Sequence, residues 1–249
     1  MNLDNIKRHT EDILVYENLL TPEESAAVIK VLNLQAERGT FSWTPISFYE
    51  SYSSNLPKDG DPELEECGLS PTFFSDLEKK IIEITAYVNG KDPKQMSKIG
   101  YHTQKWEQGA YARPHSDNTD MDGSPSPFER SRYAAFIYLN EDFEGGILRF
   151  PNQELEIQPK IGMAASFAGG FKNIHEVTMI TKGVRYTLGS FWDDREESDY
   201  PEELRNQWKE EMEKIRAEQE VTRGEWQGLL KEGYKIGYDG KQYKIEEME

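Results

Sequence analysis

Between about Ser97 and Trp192 the chain never holds one hydrophobic period for long. Short apolar or alternating runs are broken every few residues by Gly, Pro, Asn or Asp, the texture of an antiparallel β core. Eight runs read as strands: Ile99–Lys105, Ala110–Pro114, Tyr133–Leu139, Gly146–Phe150, Leu155–Ile157, Ala164–Ala168, His175–Met179 and Arg185–Phe191. Each is too short to bury much alone, so they must pair and close on one another. Eight strands suffice for two facing sheets, a double-stranded β-helix or jelly roll, within a mostly β protein with flanking helices.

The flanks have longer periods. Leu14–Leu20 reads as a short strand, and Thr21-Pro22-Glu23-Glu24 supplies an N-cap, a proline at the first helical position and a capping-box glutamate for a helix to about Leu34. A second helix is predicted from about Pro71 to Val88, with Phe73, Leu77, Ile81, Ile84 and Val88 on one face. Phe41–Cys67 reads as irregular, with one strand near Ser47–Tyr52. Beyond the core, Leu204, Trp208, Met212 and Ile215 form the apolar stripe of a charged helix over 201–220, and Asp239-Gly240 sits between aromatic residues like a hairpin turn. The expected organisation is residues 1–96 as N-terminal support, 97–195 as the β core and 196–249 as an extension. That extension can cover the barrel, form a homodimer or recognise a partner. Trp208 and Trp226, costly to leave in water, favour packing on the protein's own core.

Composition excludes several functions. A net charge of -17 over 249 residues offers no basic field for phosphates, so neither nucleic acid nor an anionic membrane surface is an expected partner. Cys67 is the single cysteine, which rules out an intramolecular disulfide and a cysteine metal cluster and fits a reducing compartment. Met1–Lys7 lacks the apolar stretch of a secretory signal, and no run has membrane-spanning length, so the expected location is cytoplasmic.

Chemistry concentrates at a few polar positions in the β segment. In Pro114-His115-Ser116-Asp117, two ligand types stand one residue apart, so on a strand both side chains leave from the same face. Their backbones are separated by about 6.6 Å, a gap that inward-leaning side chains can close around one ion. His175 would complete two imidazoles and one carboxylate, a facial set that suits non-haem iron(II) and leaves positions open. Ligand type alone also allows zinc, hence a hydrolase. Downstream, if Thr181-Lys182-Gly183 closes a hairpin, Arg185 lies opposite Met179, about 13 Å along the strand from His175. That separation suits a small dicarboxylate, because a buried guanidinium needs a carboxylate to grip. Tyr138, on Phe136–Asn140, can add a hydroxyl from a neighbouring strand. His9 and His102 lack partners at ligand spacing and read as structural or surface residues, and Cys67 reads as a small buried hydrophobe. A lone His-x-Asp pair arises readily by chance, and a non-catalytic metal-binding β-barrel would carry the same three ligands. It is the order of all five residues that carries the reading.

Those residues sit in motifs that resemble the prolyl 4-hydroxylase group of iron(II)- and 2-oxoglutarate-dependent dioxygenases. The likeness covers about Ile99–Asp194: Gly109-Ala110-Tyr111 before His115-Ser116-Asp117-Asn118, Ile137-Tyr138-Leu139-Asn140 before Phe143–Pro151, and Ile174-His175-Glu176-Val177 before Arg185-Tyr186. The resemblance implies Fe(2+) on His115, Asp117 and His175, with 2-oxoglutarate chelating the iron at one end and meeting Arg185 and Tyr138 at the other. It further implies ascorbate as an accessory, succinate and CO2 as coproducts, and a hydroxylated C–H bond in the prime substrate. A prolyl residue of a peptide or protein is the favoured substrate; a free amino acid or other small molecule is the alternative. Relatives carry lysine in place of Arg185 in several cases, and Trp106 and Tyr111 compete for the place of a second cosubstrate-binding side chain. The loop Thr119–Arg132, with Ser124-Pro125-Ser126-Pro127, is expected to form part of a substrate lid.

Overall fold

The computed structural model describes residues 1–41, 43–46, 51–126, 128–210, 213, 234–236 and 242–244. In chain order its elements are β1 (Ile6–Arg8), β2 (Ile13–Tyr16), α1 (Pro22–Glu37), β3 (Thr44–Ile46), β4 (Ser51–Asn55), α2 (Pro62–Glu66) and α3 (Phe73–Val88). The β segment follows as β5 (Ser97–Trp106), β6 (Ala112–His115), β7 (Tyr133–Tyr138), β8 (Leu148–Phe150), β9 (Leu155–Ile157), β10 (Ala164–Ala168), β11 (His175–Val177) and β12 (Arg185–Asp193). A short pair, β13 (Tyr234–Ile236) and β14 (Gln242–Lys244), comes last.

The strands form a major sheet in the order β1-β2-β10-β7-β12-β5-β4-β3 and a minor sheet in the order β6-β11-β8-β9, every pairing antiparallel. This is the expected jelly roll. The strands before α3 do more than support it, because β1 and β2 extend one edge of the major sheet and β3 and β4 the other.

Side-chain alternation along β7 creates two cores. Tyr133, Ala135 and Ile137 face Val28 and Leu32 of α1 and Leu77, Ile81 and Ile84 of α3, whereas Ala134 and Tyr138 face Leu148, Phe150 and Val177 of the minor sheet. Slipping β7 by one residue would exchange the two sets, so burial on both faces pins its register. The helices follow local rules. Thr21 accepts from the Glu24 amide while the Glu24 carboxylate accepts from the Thr21 amide, and Pro22 opens the helix. The predicted second helix starts at Phe73, two residues later than its apolar spacing suggested.

One expected register is corrected. Arg185 lies opposite Trp106 of β5, not Met179, because β11 and β12 belong to different sheets. Ile180 exchanges hydrogen bonds with Gly109 and Ala110, and Thr181 and Lys182 bond to Glu144. Gly183, at φ +78°, therefore turns a corner between sheets instead of closing a hairpin. The expected strand at Ser47–Tyr52 is seen only from Ser51 onward, since 47–50 lie outside the described residues.

In the C-terminal part, 202–210 are helical. Trp208 is buried edge-on against Tyr200 and beside the Arg130 guanidinium. Met212, Ile215, Trp226 and the Asp239-Gly240 turn lie outside the described residues, although β13 and β14 pair as the hairpin signal required. Among the described residues no helix is long and apolar enough to cross a membrane.

Candidate metal centre

The minor sheet brings His115 and His175 face to face. They are register partners on β6 and β11, and their ring centroids are 4.3 Å apart. Asp117 follows two residues beyond the end of β6, where the turn after β10 catches it: its amide donates to the Gly169 carbonyl (2.9 Å), and the Ser116 hydroxyl donates to the same oxygen (2.7 Å). His115, Asp117 and His175 each offer a ligand atom, all within 4.8 Å of one another.

Hydrogen bonds fix which imidazole nitrogen faces the centre. Nδ1 of His115 meets the Arg113 carbonyl at 2.7 Å, and Nδ1 of His175 meets the Asn173 carbonyl at 3.0 Å. A carbonyl cannot donate, so both Nδ1 atoms carry the proton and both Nε2 atoms present lone pairs. Those Nε2 atoms stand 3.9 and 3.6 Å from Asp117 Oδ1.

The electrostatics of this cluster call for a cation. Burial pushes the Asp117 carboxyl up to about 8. Its Oδ2 is buried without a hydrogen-bond partner. Burial also lowers the pKa of both imidazoles, for His175 well below the usual range with His115 adding to the effect. Two neutral nitrogens and one carboxylate deprived of solvation would each gain from a divalent ion at their midst. Phe167 stands 4.7 Å and Phe150 5.8 Å from the His175 ring, closing the inner side with hydrocarbon.

Deeper between the sheets lies a second unsatisfied group. Arg185, at 2 % exposure, opens β12, and among the described residues no carboxylate pairs with it. Its carbon Cζ is 4.9 Å from the centre of the Trp106 ring and 5.0 Å from that of Tyr138. Nε and Nη1 have no hydrogen-bond partner, and the Tyr138 hydroxyl has none of good geometry. Burial lowers the Arg185 pKa and raises that of Tyr138, each partly offset by the other. Gly146, at φ +63°, lets the turn before β8 pass close by: a Cβ there would lie 3.1 Å from Arg185 Cδ and 2.6 Å from Ile180. A desolvated guanidinium beside a phenol has the chemistry to accept one carboxylate. Tyr138 arrives as expected, on the strand beside Arg185, since β7 pairs with β12 at Thr187.

Residues 101–193 match the 2OG-Fe(II) oxygenase superfamily. Over these residues the core is similar to that superfamily. A curated relative is Prolyl 3-hydroxylase 1 of Gallus gallus, 39% identical over 69 residues, which is 26% of this chain and 10% of that protein. The chain thus matches only a small fraction of the length of that relative. Among solved structures, a Pseudomonas putida prolyl-4-hydroxylase superposes with a TM-score of 0.55 at 17% identity, covering 75% of this chain and 95% of that one. A Trichoplax adhaerens prolyl hydroxylase, solved with a hypoxia inducible factor oxygen degradation domain peptide, gives 0.54 at 19% identity over 74% and 84%. At such identities the likeness is one of fold.

Three residues of the β core escape a reading by ligand spacing. His102 lies on β5 opposite Gly189, its ring 5.7 Å from Phe191 and nearly parallel to it, and burial lowers its pKa to about 4. Gly169 touches Asp117: a Cβ there would lie 2.9 Å from Asp117 Cβ and 2.6 Å from the Ser131 carbonyl. Asn173, fully buried, holds the carbonyl that orients His175. Only Gly169, in Ala168-Gly169-Gly170, carries a signal a sequence reader could act on.

Proposed function

We propose that the protein is an iron(II)- and 2-oxoglutarate-dependent dioxygenase that hydroxylates a prolyl residue of a peptide or protein, with succinate and CO2 as coproducts. The observation that carries this reading is the occurrence, in one β core, of a His115–Asp117–His175 cluster whose ligand atoms lie within 4.8 Å of one another and of a buried Arg185 guanidinium whose Nε and Nη1 have no hydrogen-bond partner. Iron bound by His115, Asp117 and His175 would supply the oxygen chemistry together with 2-oxoglutarate. Arg185 would grip the far carboxylate of the cosubstrate through two parallel hydrogen bonds, and Tyr138 would donate a third. The Trp106 and Tyr138 rings keep water from the guanidinium, so that contact forms at low dielectric, where it is strongest. The carbonyls of Arg113 and Asn173 hold the imidazole protons away from the metal and fix both rings. The prolyl preference draws on the prolyl hydroxylases among the relatives and structural neighbours. The free Cys67 supports a reducing, cytoplasmic setting.

Anaerobic Fe(II) plus 2-oxoglutarate should give a weak visible charge-transfer band, and air should then release succinate. With ascorbate present and a panel of prolyl peptides added, mass spectrometry should find one oxygen added to a proline. Succinate release with hydroxylation of a free amino acid instead would retain the chemistry and replace the substrate. Absence of both band and succinate would overturn the proposal in favour of a non-catalytic metal site.

A further inference from the structure

The imidazole of His175 is oriented by a carbonyl that belongs to Asn173, and the Asn173 side chain is tied down at every polar atom. Its Nδ2 donates to the Ala168 carbonyl at 2.9 Å and to Asp12 Oδ2 at 3.1 Å, so both amide hydrogens are used. Its Oδ1 accepts from Gln153 at 3.0 Å, and its backbone amide donates to Gly170 at 2.8 Å. Its accessible surface is zero.

These bonds define a single turn, 168–173, that touches two ligands at once. At one end the Gly169 carbonyl holds the Asp117 amide, and at the other the Asn173 carbonyl holds His175 Nδ1. The asparagine bridges the turn internally, from residue 173 back to residue 168. It is then anchored from outside by Asp12, just ahead of β2, whose carboxylate also meets Lys172 Nζ at 3.1 Å and the Thr10 hydroxyl at 3.1 Å. The Ala168 amide returns a bond to the Asp12 backbone (3.2 Å), so both ends of the N-terminal anchor are engaged. Burial works against the Asp12 carboxylate, yet bonds from Asn173, Lys172 and Thr10 keep its pKa below the ordinary value.

We propose that Asn173 is a positioning residue for the metal centre, setting the spacing between His175 and Asp117 through the 168–173 turn, with Asp12 as its anchor. The inference rests on the reading of His115, Asp117 and His175 as metal ligands. An outer partner of this kind acts by holding a ligand in its binding geometry before the ion arrives, and its loss typically weakens metal binding by about 10–100-fold.

The test titrates Co(II) into the full-length apo protein, following the visible ligand-field bands and the dissociation constant, with no turnover required. Asn173→Ala should weaken binding about 10–100-fold and alter the bands. Asn173→Asp conserves volume but cannot donate and sets a second carboxylate against Asp12, so it should be at least as damaging as Asn173→Ala. Gln35→Ala serves as the control: Gln35 is also a buried, bonded amide, held by Asp61 and Glu63 between α1 and α2 and bonded to none of the residues of the 168–173 turn. It should lower the melting temperature and leave Co(II) binding at the parental value. Should Asn173→Ala not fold, Asp12→Ala carries the test, with weakened binding expected in the same direction. Parental affinity and bands in the Asn173 variants, or an equal loss in Gln35→Ala, would overturn the inference while leaving the iron reading intact. A parent that binds no Co(II) would end both.

Discussion

Arg185→Met should separate stability from function by moving them in opposite directions. Methionine is unbranched and keeps the apolar contacts of the arginine stem against Trp106 and Tyr138, but removes a charge that has no carboxylate partner among the described residues. Keeping such an ion dry costs several kcal/mol after relaxation. The two rings return about 2 kcal/mol each through cation–π attraction. The difference, about 0–2 kcal/mol, favours the variant. At roughly 2–4 °C per kcal/mol for a chain of this size, the apo melting temperature should be unchanged or up to about 8 °C higher. Cosubstrate binding should go the other way. Losing a buried, charge-assisted contact costs about 2–5 kcal/mol, or roughly 30- to 5,000-fold in the dissociation constant. Scanning calorimetry of the metal-free protein reads the first effect, and of the Mn(II)-loaded protein the second. At one hundred times the parental dissociation constant, 2-oxoglutarate should stabilise the parent by about 2.7 kcal/mol and the variant by no more than about 0.9 kcal/mol. A large drop in apo stability, with the 2-oxoglutarate shift retained, would refute the argument that this guanidinium waits for an anion.

Three further outcomes follow from the geometry. Gly169→Ala should displace the Asp117 carboxylate, because the new methyl carbon would crowd Asp117 Cβ and the Ser131 carbonyl; calorimetry should show about 1–3 kcal/mol of lost stability, and Mn(II) titration a clearly weaker site. His102 is held neutral in the fold, with a pKa near 4 against about 6.5 when unfolded. Its contribution is complete above pH 6.5 and is lost as pH falls toward 4, because only the unfolded chain then takes up the proton. His102→Phe should therefore flatten the parental loss of melting temperature over that interval; an identical pH profile would count against the burial of that ring. The 119–132 loop is pinned at its far end, where Arg130 and Arg132 pair with Asp193 and Asp194, and it exposes Met121 and Phe128. Limited proteolysis within it should slow when Mn(II), 2-oxoglutarate and a substrate peptide are added, and unchanged cutting would remove the lid from the mechanism.

The sheet strands were legible because their signal is local. The unbroken apolar run from Tyr133 and the punctuation on either side are enough to mark β7, although its two faces emerge only from the packing. His115, Asp117 and His175 were legible for a related reason, since strand geometry alone sends residues one apart to the same side. The path from His175 to Arg185 was not. A glycine at positive φ serves a hairpin and a corner between sheets equally well, and only the partners of Ile180 and Glu144 decide between them. The contact between Asp12 and Asn173 spans 161 positions and has no periodic trace at all. Three-residue strands are defined by what they pair with: β9 spans the expected Leu155–Ile157, whereas β8 begins at Leu148, two residues after the expected Gly146.

The hydrocarbon around His175 has a consequence for wear. A centre that handles dioxygen will sometimes fire without a substrate in place, and the nearest side chain then becomes the target. Here the neighbours of the imidazole are Phe150 and Phe167, rings that resist attack far better than a thiol or thioether would, while Cys67 packs on the opposite side of the major sheet with the helices. Under the proposed function, misfired cycles would meet two phenyl rings beside His175 instead of sulfur, and the protein's working life would depend on the choice of those two phenylalanines.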